Sequence, residues 1–269
     1  MAETIANILS IAGSDPSGGA GIQADLKTFA ARGTYGMAVL TALTAQNTRG
    51  VEGVDLVSPA FVSAQIEAVF ADIRVDAAKI GMIASAEIGE AIANALSPHR
   101  RLPLVLDPVM VAKGGARLLA QEAVEVLTRR LLPLAAVVTP NLPEAAALLS
   151  GPEATDRAEM EDQARRLLAL GPKAVLLKGG HLPGAQSPDV LATPDGIRWF
   201  EGVRVLTHNT HGTGCSLSSA IAAELGKGQA LADAVAAAKS YVAGAVRMSA
   251  ALSVGSGHGP LHHFHEFWT

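Results

Sequence analysis

The chain has 269 residues, 49% of them apolar and 4% aromatic, with a net charge of −4. That length suits one α/β domain with a substantial core, and the apolar content excludes wholesale disorder. With no basic block, little to stack on bases, no apolar run near the roughly 20 residues of a membrane span and a single cysteine, nucleic-acid binding, membrane insertion and an intramolecular disulfide all drop out. Residues 1–10 carry Glu3 and no basic stretch before their short apolar run, so no secretory signal is expected and a cytoplasmic protein is.

Short β-type runs alternate with helical stretches. Residues 7–12 read as a strand that ends in the turn-rich segment 13–21. Ile22, Leu26, Phe29 and Ala30 recur at helical spacing and predict a helix over 22–31. Strands are predicted at 36–43 and, more exposed, at 51–57; a helix follows at 61–70, a strand at 77–80 and a helix at 86–96. The buried strand 104–106 stops at Asp107-Pro108, a helix covers 121–131, and the strand 136–139 stops at Pro140-Asn141. Helices at 144–149 and 160–170 precede the strand 174–177, which runs into Lys178-Gly179-Gly180. Strands 189–192 and 196–205 form a hairpin around Pro194-Asp195-Gly196, and helices at 213–225 and 231–249 close the chain.

The repeated alternation predicts a mainly parallel sheet with helices on both faces, a three-layer α/β/α sandwich in one domain over residues 1–269. In such sheets ligands bind beyond the carboxyl ends of the strands. Those ends carry Gly13, Asp107, Asn141, Lys178 and, after the hairpin, Gly212-Thr213-Gly214-Cys215.

The segment His211-Gly212-Thr213-Gly214-Cys215 enters a strong helix pattern. Its glycines allow a tight turn and close approach of the backbone, and the free N–H groups of the helix start form an anion site. Cys215, on the first turn, either becomes a thiol acidified by the helix N-terminus or packs as a small apolar side chain. A P-loop is absent, since Gly226-Lys227-Gly228 lacks the hydroxyl residue, and 13–21 lacks the spacing of a dinucleotide fingerprint. His208 and His211, and the cluster His262, His263 and His265, are read as packing rather than as a zinc site.

Seven segments in register over essentially the whole chain resemble the hydroxymethylpyrimidine/phosphomethylpyrimidine kinases, of the ribokinase-like superfamily. They are Ala12-Gly13-Ser14-Asp15-Pro16-Ser17-Gly18-Gly19-Ala20-Gly21 with its continuation to Lys27, Thr44-Ala45-Gln46-Asn47-Thr48, Lys79-Ile80-Gly81-Met82, Leu106-Asp107-Pro108-Val109-Met110, Thr139-Pro140-Asn141-Leu142-Pro143-Glu144-Ala145, Lys178-Gly179-Gly180-His181, and the Gly-Thr-Gly-Cys loop with the tail from Gly257 to His265.

The resemblance implies phosphorylation of 4-amino-5-hydroxymethyl-2-methylpyrimidine to its monophosphate and then its diphosphate, with ATP and Mg2+, in a homodimer. Many members of the superfamily carry Asp where Cys215 stands; the pyrimidine kinases resemble this chain in carrying Cys. Cys215 is then expected to act as thiolate general base, and Gly212, Thr213 and Gly214 to donate N–H groups to the transferring phosphoryl. Lys178 and Lys239 are expected at the ATP phosphates. Asp107 and Glu144 are expected on the metal side, partly through water, although Glu144 also suits simple charge placement at a helix start. Gly13, Asp25, Gln46, Met82 and Val109 are expected to line the substrate slot: Gln46 pairs with a ring nitrogen and its amino neighbour, Asp25 meets the hydroxymethyl or amino group, and Met82 and Val109 sandwich the ring. The exposed strand at 51–57 either covers the site as a flap or joins a partner subunit. Rival readings are a pyridoxal or pyridoxine kinase of the same superfamily, a non-catalytic pyrimidine-binding protein and, less favoured for want of its fingerprint, a dinucleotide-dependent oxidoreductase.

Overall fold

Successive residues of β1 (Asn7–Ala12) point to opposite faces of a sheet: Leu9 and Ile11 join one buried apolar cluster, Ile8 the other. The computed structural model describes residues 4–110 and 120–268, so part of the leader expectation, Glu3 included, lies outside the described residues. Around β1 lie β2 (Tyr35–Leu40) on one side and, in order on the other, β5 (Ala77–Ile80), β6 (Leu104–Leu106), β7 (Val137–Val138), β8 (Val175–Lys178), β9 (Asp189–Thr193) and β10 (Gly196–Phe200). Pairing is parallel from β2 through β8; β9 and β10 add as an antiparallel hairpin. β3 (Ala42–Asn47) and β4 (Gly50–Leu56) form a separate two-stranded sheet.

Helices α2 (Pro59–Asp72), α3 (Ala86–Leu96), α4 (Gln121–Val126), α5 (Leu142–Leu149) and α6 (Arg157–Leu168) supply the cluster that holds Leu9, Ile80 and Leu106. Helices α1 (Gly21–Ala31), α7 (Thr213–Gly226) and α8 (Leu231–Arg247) supply the one that holds Ile8, Val105 and Leu176. These are the three expected layers.

Several expected boundaries move for identifiable reasons. The strand expected over 36–43 breaks at Thr41, whose N–H donates to the Ala12 carbonyl at 3.1 Å and whose hydroxyl donates to the Met82 carbonyl at 2.7 Å. The chain leaves the main sheet there to enter β3. Helix α5 starts before Glu144, because Asn141 and Glu144 form a capping box that needs the full first turn. Helix α4 continues as a π-helical turn over Leu127–Leu131. The strand expected to reach 205 stops at Phe200, leaving Val203 in an isolated bridge to Gln186. Among the described residues no helix is long and apolar enough to cross a membrane.

Candidate active site

Strand alternation decides which side chains meet α7. On β5, Ala77 belongs to the α7 layer, and Ala78 and Ile80 to the opposite one, so Lys79 points toward α7. Leu104 and Leu106 of β6 point away and Val105 toward α7, which turns Asp107 to the same face. Leu176 does the same for Lys178 on β8. Charges of both signs therefore converge on the start of α7.

That start is a backbone device. Gly212 caps α7 at φ +81, and a Cβ on it would stand 1.8 Å from the Gly19 carbonyl oxygen, so only glycine fits. First-turn N–H groups lack intrahelical acceptors; that of Thr213 is shared with the Thr210 carbonyl at 3.4 Å, while its hydroxyl donates to the same oxygen at 2.8 Å. Gly214 faces the charged floor: a Cβ there would meet Lys178 Nζ at 3.3 Å and Asp107 Oδ2 at 3.6 Å.

Beneath this loop Lys178 Nζ stands 3.0 Å from Asp107 and 3.9 Å from Glu144. Asp107 also accepts from the hydroxyls of Thr139 at 3.2 Å and Ser218 at 3.3 Å. Burial favours its neutral form, but Lys178 and Lys79 outweigh it and hold the carboxyl below its ordinary value, while the same carboxylates hold Lys178 above its own. Glu144 differs. Burial pushes it up to about 7, against the pull of Lys178 and with the help of Asp107. Its carboxylate accepts from the Asn141 N–H at 2.8 Å, so the helix-capping role and the site role fall on one side chain.

The raised Glu144 carboxyl has a sign that can be checked. A folded-state value near 7, above 4.5, makes the folded protein the better proton binder between them. Stability from this group is therefore fully present below about pH 4.5 and is lost as pH rises through 7. Denaturant titrations from pH 5 to 8 are expected to show this decline in the wild type and not in Glu144→Gln.

On the opposite wall, Gly13 admits Met82: a Cβ on Gly13 would lie 2.3 Å from the Met82 methyl. Gln46, from β3, lies 3.3 Å from His211 Nε2 and accepts from the Thr44 hydroxyl at 3.3 Å. His211 Nε2 is 2.7 Å from Asp15, which also accepts from Ser17 N–H, Ser17 Oγ and Ala20 N–H. Burial alone would raise Asp15, but these partners, His211 first, hold it at about 2. The pair ties the 13–21 turn to the anion loop. Val109 is half-buried on the loop after β6, with its N–H on the Asp107 carbonyl at 2.8 Å.

Three expectations need correction. Asp25 is fully buried and its carboxylate is spent on Lys79 at 2.8 Å, Ser10 at 2.6 Å and Ser219 at 2.7 Å, so it does not face a substrate. The Cys215 thiol is not acidified: burial pushes it up to about 11, and Lys79 and the Gly21 N–H only partly oppose this while Asp25 and Asp107 add to it. Lys239 Nζ is held by Asp189 at 2.5 Å and the Ser187 carbonyl at 2.8 Å, which occupies the ammonium.

Sequence reasoning gave no role to Lys79, to the Asp15–His211 pair or to Ser218 and Ser219. One signal was available for Lys79: a lysine inside a buried strand demands an opposite charge. The tail histidines pack, as expected. His263 Nε2 is 3.0 Å from the Ser216 hydroxyl, and burial with the nearby Lys27, His262 and His265 lowers it to about 4.

The profile of a family described as phosphomethylpyrimidine kinase matches residues 15–262. A hydroxymethylpyrimidine/phosphomethylpyrimidine kinase of Escherichia coli (strain K12) is 54% identical over 262 residues, 97% of this chain and 98% of the relative. Among solved structures, phosphomethylpyrimidine kinase from Clostridium difficile 630 is 45% identical at a TM-score of 0.79, over 88% of this chain and 97% of that one. The ADP complex of Bacillus subtilis pyridoxal kinase is 36% identical at a TM-score of 0.88, over 97% of this chain and 98% of that one.

Proposed function

As the chain belongs to the phosphomethylpyrimidine kinase family, we propose that the cleft between Gly13, Gln46 and Met82 on one wall and Gly212–Cys215 on the other is where it transfers phosphoryl groups. It is an ATP-dependent kinase of thiamin biosynthesis that converts 4-amino-5-hydroxymethyl-2-methylpyrimidine to its monophosphate and then to the diphosphate. The observation that carries the site is the convergence of Lys178, Asp107 and Glu144 beneath the glycine-bounded start of α7.

The pyrimidine ring lies against Met82 and Val109, with Gln46 offering both a donor and an acceptor to its edge. Gly212, Thr213 and Gly214 present backbone donors to the γ-phosphoryl, and Lys178 faces the same spot. Cys215 takes the hydroxymethyl proton. Lys239 serves the nucleotide only after exchanging Asp189 for phosphate.

Mg2+ fits this donor set. Asp107 and Glu144 are hard oxygen donors that share one ammonium, and the raised Glu144 marks a trio short of one positive charge. A hard cation with phosphate oxygens and waters would make up that deficit, and Asp107 and Glu144 would be the residues to hold it. The chain works as one domain over residues 1–269 and as a homodimer in the cytoplasm. Support for the dimer comes from Leu43, Val54, Leu56 and Phe61, large apolar side chains exposed on and beside the β3–β4 arm.

The test is phosphate transfer from Mg-ATP to hydroxymethylpyrimidine and, in parallel, to pyridoxine, with products identified by mass. The expected result is a monophosphate followed by a diphosphate from the pyrimidine. Turnover of pyridoxine alone would keep the fold and reassign the substrate; turnover of neither would remove the site assignments.

A further inference from the structure

One helical turn below Cys215, a lysine and an aspartate are sealed from water. Lys79 Nζ lies 2.9 and 2.8 Å from the two Asp25 oxygens, and both side chains are 0% exposed. Ser10 on β1 and Ser219 on α7 donate to the same carboxylate at 2.6 and 2.7 Å. Four elements, β1, α1, β5 and α7, thus meet on one charge pair. Its construction follows from sequence register: Ser10 pairs with Lys79 across parallel strands, so both point to the α1–α7 layer.

A buried ion pair is weak evidence of a stability role, because well-packed apolar residues do as well or better in its place. Its location is more informative. Ser219 stands four residues after Cys215, on the same face of α7, where Cβ atoms lie about 5–6 Å apart. The ammonium points toward the strand end: a Cβ on Gly81 would meet Lys79 Nζ at 2.8 Å. The other groups whose charge or hydrogen bond reaches Cys215 are Asp107 at the end of β6, Lys178 at the end of β8 and the Gly21 N–H at the start of α1. Lys178 is committed to Asp107 and Glu144. Lys79 is also paired, with Asp25, but of the two cations it is the one joined to α7 one turn from Cys215, through Asp25 and Ser219.

We propose that Lys79 is a positioning residue for phosphoryl transfer: its sealed ammonium, anchored by Asp25, Ser10 and Ser219, stabilises the Cys215 thiolate that receives the substrate hydroxyl proton. This rests on the reading of Cys215 as base. In the step, the Cys215 thiol first releases its proton to solvent. The thiolate then takes the proton of the CH2–OH group as that oxygen bonds to the γ-phosphorus, and the bond from the γ-phosphorus to its bridging oxygen breaks. ADP leaves with the bridging oxygen, and the phosphate ester and one proton complete the balance. The direction agrees with the electrostatics of the folded chain, where Lys79 is the largest influence favouring the thiolate and Asp25 opposes it.

Cys215 is the sole cysteine, so alkylation by iodoacetamide reports on one sulfur. Rates at pH 8.5 would be measured for the wild type, Lys79→Met, Lys79→Arg, Asp25→Asn and the double variant Lys79→Met/Asp25→Asn, each with its far-UV circular dichroism as a check of folding. Since nucleophilicity falls as a thiol becomes more acidic, a tenfold change in thiolate fraction moves the rate only about threefold. The expected result is opposite signs for the two partners: Lys79→Met slows alkylation about threefold or more, Asp25→Asn accelerates it, the double variant falls between, and Lys79→Arg restores the wild-type rate. A purely structural pair predicts that both losses act alike. Changes of one sign, or none, overturn the proposal. Should Lys79→Met fail to fold, the acceleration in Asp25→Asn and the rescue by arginine still decide it. Turnover is followed alongside: Lys79→Met is expected to lower kcat with little change in KM for the pyrimidine. The base reading is tested separately by Cys215→Ala, whose wild-type turnover would sink that reading while leaving the alkylation result to stand.

Discussion

Cys215→Ala is expected to lower kcat by about 10²–10⁴-fold, the range a positioned proton acceptor supplies, while KM for pyrimidine and for ATP changes far less. In the proposed site the thiol would touch the reacting oxygen, whereas binding would rest on Gln46, Met82 and the backbone donors. The pH dependence gives the sharper signature. With the thiol pushed up to about 11, the ionised fraction rises about tenfold per pH unit throughout the neutral range, so kcat rises with pH from 6.5 to 9 with a slope near one. Cys215→Asp, whose carboxyl ordinarily ionises far below a thiol, is expected to recover part of the rate and to move that profile to lower pH. Steady-state rates with product release excluded by burst analysis make the comparison. An alanine enzyme at wild-type rate would take Cys215 out of the chemistry.

Gly212→Ala carries the second large effect. The added methyl meets the Gly19 carbonyl oxygen at 1.8 Å and must also adopt φ +81. The 13–21 turn or the start of α7 has to move, and with it the donors proposed for the phosphoryl. Loss of such donors costs about 10²–10³-fold in kcat, and the left-handed backbone adds about 1–2 kcal/mol of destabilisation. Gly214→Ala separates the two contributions. Its Cβ meets side-chain ends alone, Lys178 Nζ at 3.3 Å and Asp107 Oδ2 at 3.6 Å, so the fold is retained, yet the methyl projects over the spot proposed for the phosphoryl. Activity is expected to fall in both variants and the unfolding midpoint only in Gly212→Ala. A Gly212→Ala enzyme with normal turnover would show that the loop is not the anion site.

Most of the fold was legible because apolar periodicity and strand-end punctuation agree. The elements 7–12, 77–80, 86–96 and 104–106 carry strong patterns, and the structure has them with the same bounds. What stayed hidden depended on contacts between distant segments. Thr41 reads as one more β-former, and only its bonds to Ala12 and Met82 reveal a departure from the sheet. The strand ends Asp107 and Lys178 and the start of α7 do lie together, whereas Gln46 and Met82 were named through the resemblance and not through strand ends. The roles of Asp25 and Cys215 were not legible, since both turn on burial beside a lysine whose direction follows from the parity of β5. For Cys215 a helix start and burial pull in opposite directions, and burial is the larger influence. For Glu144, the helix-start and site explanations had been set against each other; the capping box and the nearby Lys178 give it both.

The convergence of charge on α7 rests on β5, β6 and β8, strands of four, three and four residues. In each, a single position separates the side chain that faces α7 from one that faces the opposite layer. Deleting one residue from such a strand exchanges Lys79 for Ile80, or Asp107 for Pro108, on the face toward α7. The chemistry is thus encoded in odd-and-even counting, and such short segments have little room for a compensating slip. A turn far from the site can gain a residue without disturbing that count, whereas a strand that feeds the site tolerates substitution but not insertion or deletion.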